Sequence, residues 1–89
     1  MLNGISLDHL RTFVAAADEG SFSAAGRRLG RAQSVVSEII AKLEAQLRLP
    51  LFERVGRFPQ LTPGGTSLLP FARKIIQDSD ALKAQAHSL

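Results

Sequence analysis

The 89 residues predict a mainly α-helical fold, four helices with one short β-hairpin between the third and the fourth. Three observations carry that prediction. Apolar residues recur at helical spacing in four separate segments, capping residues stand at the segment boundaries, and residues 49–62 lose that spacing and fill with turn formers.

The first helix is expected from Leu7 to about Glu19, where Leu10, Phe13, Val14 and Ala17 make one stripe at i, i+3, i+4 and i+7. Ser6 or Asp8 is available to cap its start and Gly20 its end. Ser21 offers the next cap, before a helix of barely two turns carrying Phe22, Ala25 and Leu29 and stopping at Gly30. A third helix runs from Gln33 to about Leu47, with Val36, Ile40, Leu43 and Leu47 turned to the core. Its other face holds Gln33, Ser34, Ser37, Glu38 and Ala41, small or polar residues that leave room for close approach from outside. Two helices joined by a short glycine-containing turn, the second opening on small hydrogen-bonding residues, form the helix-turn-helix pattern.

Pro50 is expected to end the third helix. Leu51 and Phe52 then begin an extended run, Gly56 marks a turn, and Phe58 to Leu61 return as the partner strand. Pro59 cannot donate to a β-ladder, so the hairpin is short and edge-like, a wing with Arg54 and Arg57 at or near its tip. Thr62 followed by Pro63 reads as an N-cap with proline at the first helical position of a final helix that reaches the late eighties. Gly64 and Gly65 weaken its first turn, and Pro70, which removes a hydrogen bond at a cost of about 3 kcal/mol inside a helix, is expected to kink it. Along it Leu68, Ala72, Ile75, Ser79, Leu82, Ala86 and Leu89 alternate steps of four and three, a heptad seam in which Ser79 is the weak point. Such a stripe packs either on its own domain or on a second copy. At roughly 38 Å for about 25 residues the helix outreaches the three-helix core, which favours a homodimer.

Composition narrows the function. A chain of this length with 45% apolar residues builds one modest core and no elaborate active-site scaffold. The absence of cysteine excludes disulfides and thiolate metal sites, and His9 and His87 stand at opposite ends, so neither a metal nor another cofactor is expected. No run of about 18 uncharged apolar residues and no signal-peptide pattern is present, so neither membrane insertion nor export is expected. Residues 21–57 carry seven basic side chains against three acidic ones, within a chain of formal charge +3. Concentrated there, the charge suits a polyanion whose condensed counterions it displaces, or else makes a solvated basic surface. For catalysis the sequence offers no nucleophile beside a base and no paired carboxylates, since Asp18 and Glu19 are adjacent and point to different sides of their helix. A helical interaction module whose whole function is the heptad seam is the rival to nucleic-acid binding.

Four segments in register resemble the amino-terminal domain of LysR-type transcriptional regulators, over almost the whole chain: LDHLRTFVAAADEGSFSAAGRRL its first two helices, AQSVVSEIIAKLEAQL its recognition helix, LFERVGR its wing, and LTPGG the start of its linker helix. The resemblance implies a winged helix-turn-helix over residues 1–62 and a dimerising linker helix over 63–89. It also implies an interrupted, AT-rich inverted repeat of double-stranded DNA as partner and a bacterial cytoplasmic, nucleoid-associated location. Family members normally carry a larger domain for a small-molecule effector, which is absent from these residues.

On this reading the start of the third helix enters the major groove, where each base pair displays its own donor and acceptor pattern. Gln33 is the leading base reader, its amide suiting adenine, and the alternative is an ordinary exposed glutamine. Ser34 and Ser37 offer hydroxyls to phosphate or base edges, Ser37 matching the family motif, while Val35 can meet thymine's methyl group. Ser21 and Ser23 would face a phosphate at a helix start, unless Ser21 is only a cap. Arg31, Arg54 and Arg57 are assigned to the DNA backbone or minor groove, with a carboxylate partner as the alternative for Arg54. Two residues depart from the family pattern. Ala32 stands where a serine or threonine usually caps the recognition helix and contacts DNA. Glu38 replaces a long polar or basic residue, and it either accepts from cytosine N4 or weakens nonspecific binding.

Overall fold

The computed structural model describes residues 4–89. Their order is α1 (Leu7–Glu19), α2 (Phe22–Leu29), α3 (Gln33–Leu47), β1 (Phe52–Val55), β2 (Phe58–Leu61) and α4 (Pro63–His87). The boundaries follow local chemistry. Ser6 Oγ accepts from the His9 N–H at 3.0 Å, so Ser6 rather than Asp8 caps α1, and Gly20 closes it in the left-handed region at φ 66°. Ser21 Oγ accepts from the Ala24 N–H at 3.2 Å to start α2. Ala32 starts α3 without any side-chain cap.

The third helix stops at Leu47 as expected, but Pro50 is not what stops it. Arg48 adopts φ 61° and its N–H bonds the Glu44 carbonyl at 2.8 Å, so the helix has closed two residues before Pro50. No glycine marks that turn, which is why proline looked like the terminator.

The core lies where α1, α2 and α3 converge and the hairpin root and α4 close over them. Phe13, Val36, Leu43 and Leu51 are fully enclosed, joined by Leu10, Val14, Ala16, Phe22, Ala25 and Ile40. Burying each of the large apolar side chains contributes about 1.5–3 kcal/mol. Thr12 is equally enclosed and satisfies its hydroxyl on the Asp8 carbonyl at 2.9 Å. Phe52 fastens the hairpin to this core, its ring edge-on to Phe13 at 5.8 Å and to Phe22 at 5.3 Å. The two strands pair antiparallel, with Phe52 opposite Leu61 and Arg54 opposite Pro59, which leaves Gly56 and Arg57 as the loop.

Thr62 is a double anchor for α4: its Oγ1 accepts from the Gly65 N–H at 2.9 Å and donates to the Pro50 carbonyl at 2.6 Å. Gly65 is there for space rather than as a weak first turn, because a Cβ would fall on the Leu51 carbonyl oxygen. The helix is α-helical on both sides of Pro70.

Only part of the heptad seam faces outward. Ala72 is 3% exposed against its own core, and Leu68, Leu69 and Ile76 pack on that core too, so the upper seam is spent inside the domain. Further down, Ile75 and Leu82 are exposed, as is every residue from 80 to 89. Phe71, outside the seam, is 66% exposed.

Ion pairs fix α4 against the core. Arg73 reaches Asp18, and Arg11 reaches Asp80 at 3.1 Å. Arg28 meets both Asp18 at 3.2 Å and Glu19 at 3.4 Å, so these adjacent carboxylates converge on one guanidinium instead of pointing apart.

Candidate nucleic-acid interface

Three elements bring polar side chains to one notch of about 120 Å³: Ser21 and Ser23 from the start of α2, Gln33 from the start of α3, and Arg54 and Arg57 from the hairpin. Phe22, Phe58 and Pro59 complete its walls. The convergence follows from the turn between α2 and α3. Gly26 lets that turn sit directly on α2, since a Cβ there would meet the Arg31 carbonyl at 2.5 Å, and the Arg31 N–H bonds the Gly26 carbonyl at 2.9 Å. Both helix starts thereby face the hairpin.

The two hairpin arginines are held by rings rather than by carboxylates. The Arg54 guanidinium lies 5.9 Å from the Phe22 ring centre and that of Arg57 5.8 Å from Phe58. Among the described residues neither has an ion-pair partner, so both keep their full charge for an outside anion. Phe22 and Phe58 were legible as a core residue and a strand residue, and nothing in their spacing marked them as arginine platforms.

Arg31 is placed differently. It donates to both oxygens of Asp8 at 3.0 and 2.9 Å, and this pairing holds the Asp8 carboxyl below the usual carboxylate range and raises Arg31 further. The sequence assigned Arg31 to the DNA backbone or minor groove and gave it no carboxylate partner; that partner lies 23 residues away, beyond any local pattern. Ser21 is committed to its cap, while Ser23 Oγ accepts from the Arg27 guanidinium at 3.0 Å.

Along α3, Gln33, Ser34, Val35 and Glu38 are exposed. Ser37 is half-buried and lines a second hollow, about 220 Å³, between α3 and the hairpin, together with Ala41, Glu44, Phe52, Arg54 and Pro59. Glu44 is the residue that sequence reasoning missed. Its Oε2 accepts from the Leu51 N–H at 2.7 Å and the Phe52 N–H at 3.3 Å, binding the root of the hairpin to α3. A carboxylate in the last turn of a helix, seven and eight residues before the N–H groups that lead into the strand, was the available signal.

A face that offers an amide, hydroxyls and two uncompensated guanidinium groups around one notch is suited to a polyanion with readable edges. Residues 7–66 match the family model described as bacterial regulatory helix-turn-helix protein, lysR family. The chain belongs to the lysR family. A relative in Azotobacter vinelandii, an uncharacterized HTH-type transcriptional regulator in the ibpB-leuC intergenic region, is 49% identical over 81% of this chain and 50% of its own length. Among solved lysR-type structures, a mutant of Corynebacterium glutamicum OxyR superposes with a TM-score of 0.92 at 32% identity, covering 99% of this chain and 28% of that one. The BenM_DBD/benA site 1 DNA complex superposes at 0.88 with 35% identity, covering 93% of each chain. The chain thus spans about half or less of the curated lysR relatives it matches, but nearly all of a neighbour crystallised on DNA. The winged helix-turn-helix is the fold they share. Among the described residues no cluster could hold a metal ion, and no helix is long and apolar enough to cross a membrane.

Proposed function

We propose that this chain is the DNA-binding part of a bacterial transcription regulator working in the cytoplasm, with double-stranded DNA as its partner and no catalytic role. The observation that carries the reading is the notch in which the start of α3, the start of α2 and the hairpin arginines meet. In this reading Gln33, Ser34, Val35 and Ser37 address base edges in the major groove, and Glu38 either accepts from a cytosine or lowers nonspecific affinity. Ser23 and the backbone at Ser21 meet a phosphate, and Arg54 and Arg57 lie along the backbone or in an adjacent minor groove. Arg31 contributes only as far as Asp8 releases it.

Two copies pair through α4, with residues 1–62 as the DNA-binding unit and 63–89 as the pairing helix. The pairing face is Ile75, Leu82, Ala86 and Leu89 with Phe71 added, while Leu68 and Ala72 serve the domain's own core. A dimer addresses an inverted repeat because its two recognition helices are related by the same twofold axis as the half-sites. Small-molecule sensing belongs to the part of the longer relatives that these residues do not span.

Fluorescence anisotropy with random and AT-rich inverted-repeat duplexes at two salt concentrations tests this. The expected result is affinity that falls with salt by a log–log slope of about −0.9 per phosphate contacted, a uniform loss in Arg57→Ala and a loss of discrimination in Gln33→Ala. A chain that dimerises in sedimentation yet binds no duplex at low salt is an interaction module instead.

A further inference from the structure

We propose that Glu44 is a positioning residue: its carboxylate sets the wing against the recognition helix so that Gln33 and Arg57 address one duplex together. The inference rests on the DNA-binding reading for its consequence, and on geometry for its mechanism. Arg48 closes α3, and the chain must then travel from Leu49 to Phe52 before the two-stranded ladder supplies any backbone partner. In that gap the Leu51 and Phe52 N–H groups both donate to the one Glu44 oxygen, from a side chain rooted in the last turn of α3. On its other side Leu51 offers its carbonyl to the Thr62 N–H at 3.0 Å, at the start of α4. The wing root is therefore held between two helices, and Glu44 is its attachment to the one that carries Gln33. A two-stranded hairpin has little independent stability, so the direction of its tip is decided at this root. Phe52 adds apolar contact with Phe13 and Phe22, which resists withdrawal of the wing but does not fix its rotation as two directed hydrogen bonds do.

The test combines Glu44→Ala and Glu44→Gln with Arg57→Ala and reads both duplex affinity and backbone order by 15N relaxation. In the wild type Arg57→Ala weakens binding by about tenfold; in the Glu44→Ala background it weakens binding by less than about twofold, because an unaimed wing has little to lose. Glu44→Gln keeps an oxygen acceptor and restores most of the Arg57 effect, which a loss of general stability would not predict. In Glu44→Ala the order parameters of residues 53–60 fall below about 0.6 while those of α1 to α3 stay near about 0.85. If Glu44→Ala fails to fold, Glu44→Asp, one methylene too short to reach Leu51, takes its place. An Arg57 penalty of full size in the loss variant, or an unchanged wing, overturns the proposal. Absence of duplex binding by the wild type, alongside a loosened wing in the variant, removes the DNA-binding reading and leaves the anchoring of the wing standing.

Discussion

Arg73 on α4 donates two hydrogen bonds to Asp18 at the end of α1, and Arg28 from α2 adds another, so one carboxylate ties three helices. The Arg73 hydrogen bonds, with those of Arg28, hold the Asp18 carboxyl below its ordinary value, against the opposing effect of partial burial. A lowered carboxylate stabilises the folded state above the unfolded pKa of about 3.9, and that contribution disappears as pH falls through the lower folded value.

Urea unfolding at several pH values checks this directly. Asp18→Asn is expected to cost about 0.2–1 kcal/mol at pH 7, a modest figure because both partners are partly solvated. The gap between variant and wild type closes below about pH 4. A gap that persists undiminished into strong acid would mean that Asp18 acts through packing and not through its charge.

The Asp8–Arg31 pair makes an opposite prediction for function. Asp8 cancels Arg31 at the turn leading into α3, so Asp8→Asn is expected to tighten binding to all duplexes, by up to about tenfold at low salt, and to steepen the salt slope by up to about one contact. Arg31→Ala in the wild type then loses little. Equal affinity in Asp8→Asn and wild type across salt would place Arg31 away from the phosphates.

Ala32 starts α3 with β-region backbone, φ −68° and ψ 151°, the conformation of an N-cap, but has no side-chain acceptor. Its carbonyl already receives the Val36 N–H at 3.2 Å, so the geometry of a cap is complete except for the oxygen. Ala32→Ser is expected to stabilise the protein by about 0.5–2 kcal/mol in urea unfolding. No gain would show that the first turn of α3 is satisfied by other means.

The order and bounds of the helices and strands were legible because their signals are local: Ser6, Ser21 and Thr62 before apolar stripes, and Gly20, Gly30 and Gly56 at the turns. What was illegible depends on residues distant in sequence. The partner of Arg31 is 23 positions away and that of Arg73 is 55, and no periodicity encodes either. Gly65 looked like a weak helix residue until the Leu51 carbonyl arrived beside it. The seam of α4 was visible as a stripe, but a stripe does not say which of its members the domain consumes, and Ala72 is consumed.

Arg48 yields the last prediction. It is an exposed arginine in the left-handed region at φ 61°, where a side chain's Cβ crowds the following carbonyl at a cost of about 1–2 kcal/mol. Glycine adopts that backbone freely but loses about 0.5–1 kcal/mol through the greater freedom of its unfolded chain. Arg48→Gly is therefore expected to gain about 0.5–1 kcal/mol. A gain of that size raises Tm by about 2–8 °C in a domain of this length, measured at fixed protein concentration because a dimer's Tm depends on it. Arg48→Ala is the discriminating control. It removes the same charge and the same long side chain but keeps the Cβ, so it should gain nothing. If alanine stabilises as much as glycine, the benefit comes from deleting a cation and not from relieving the backbone.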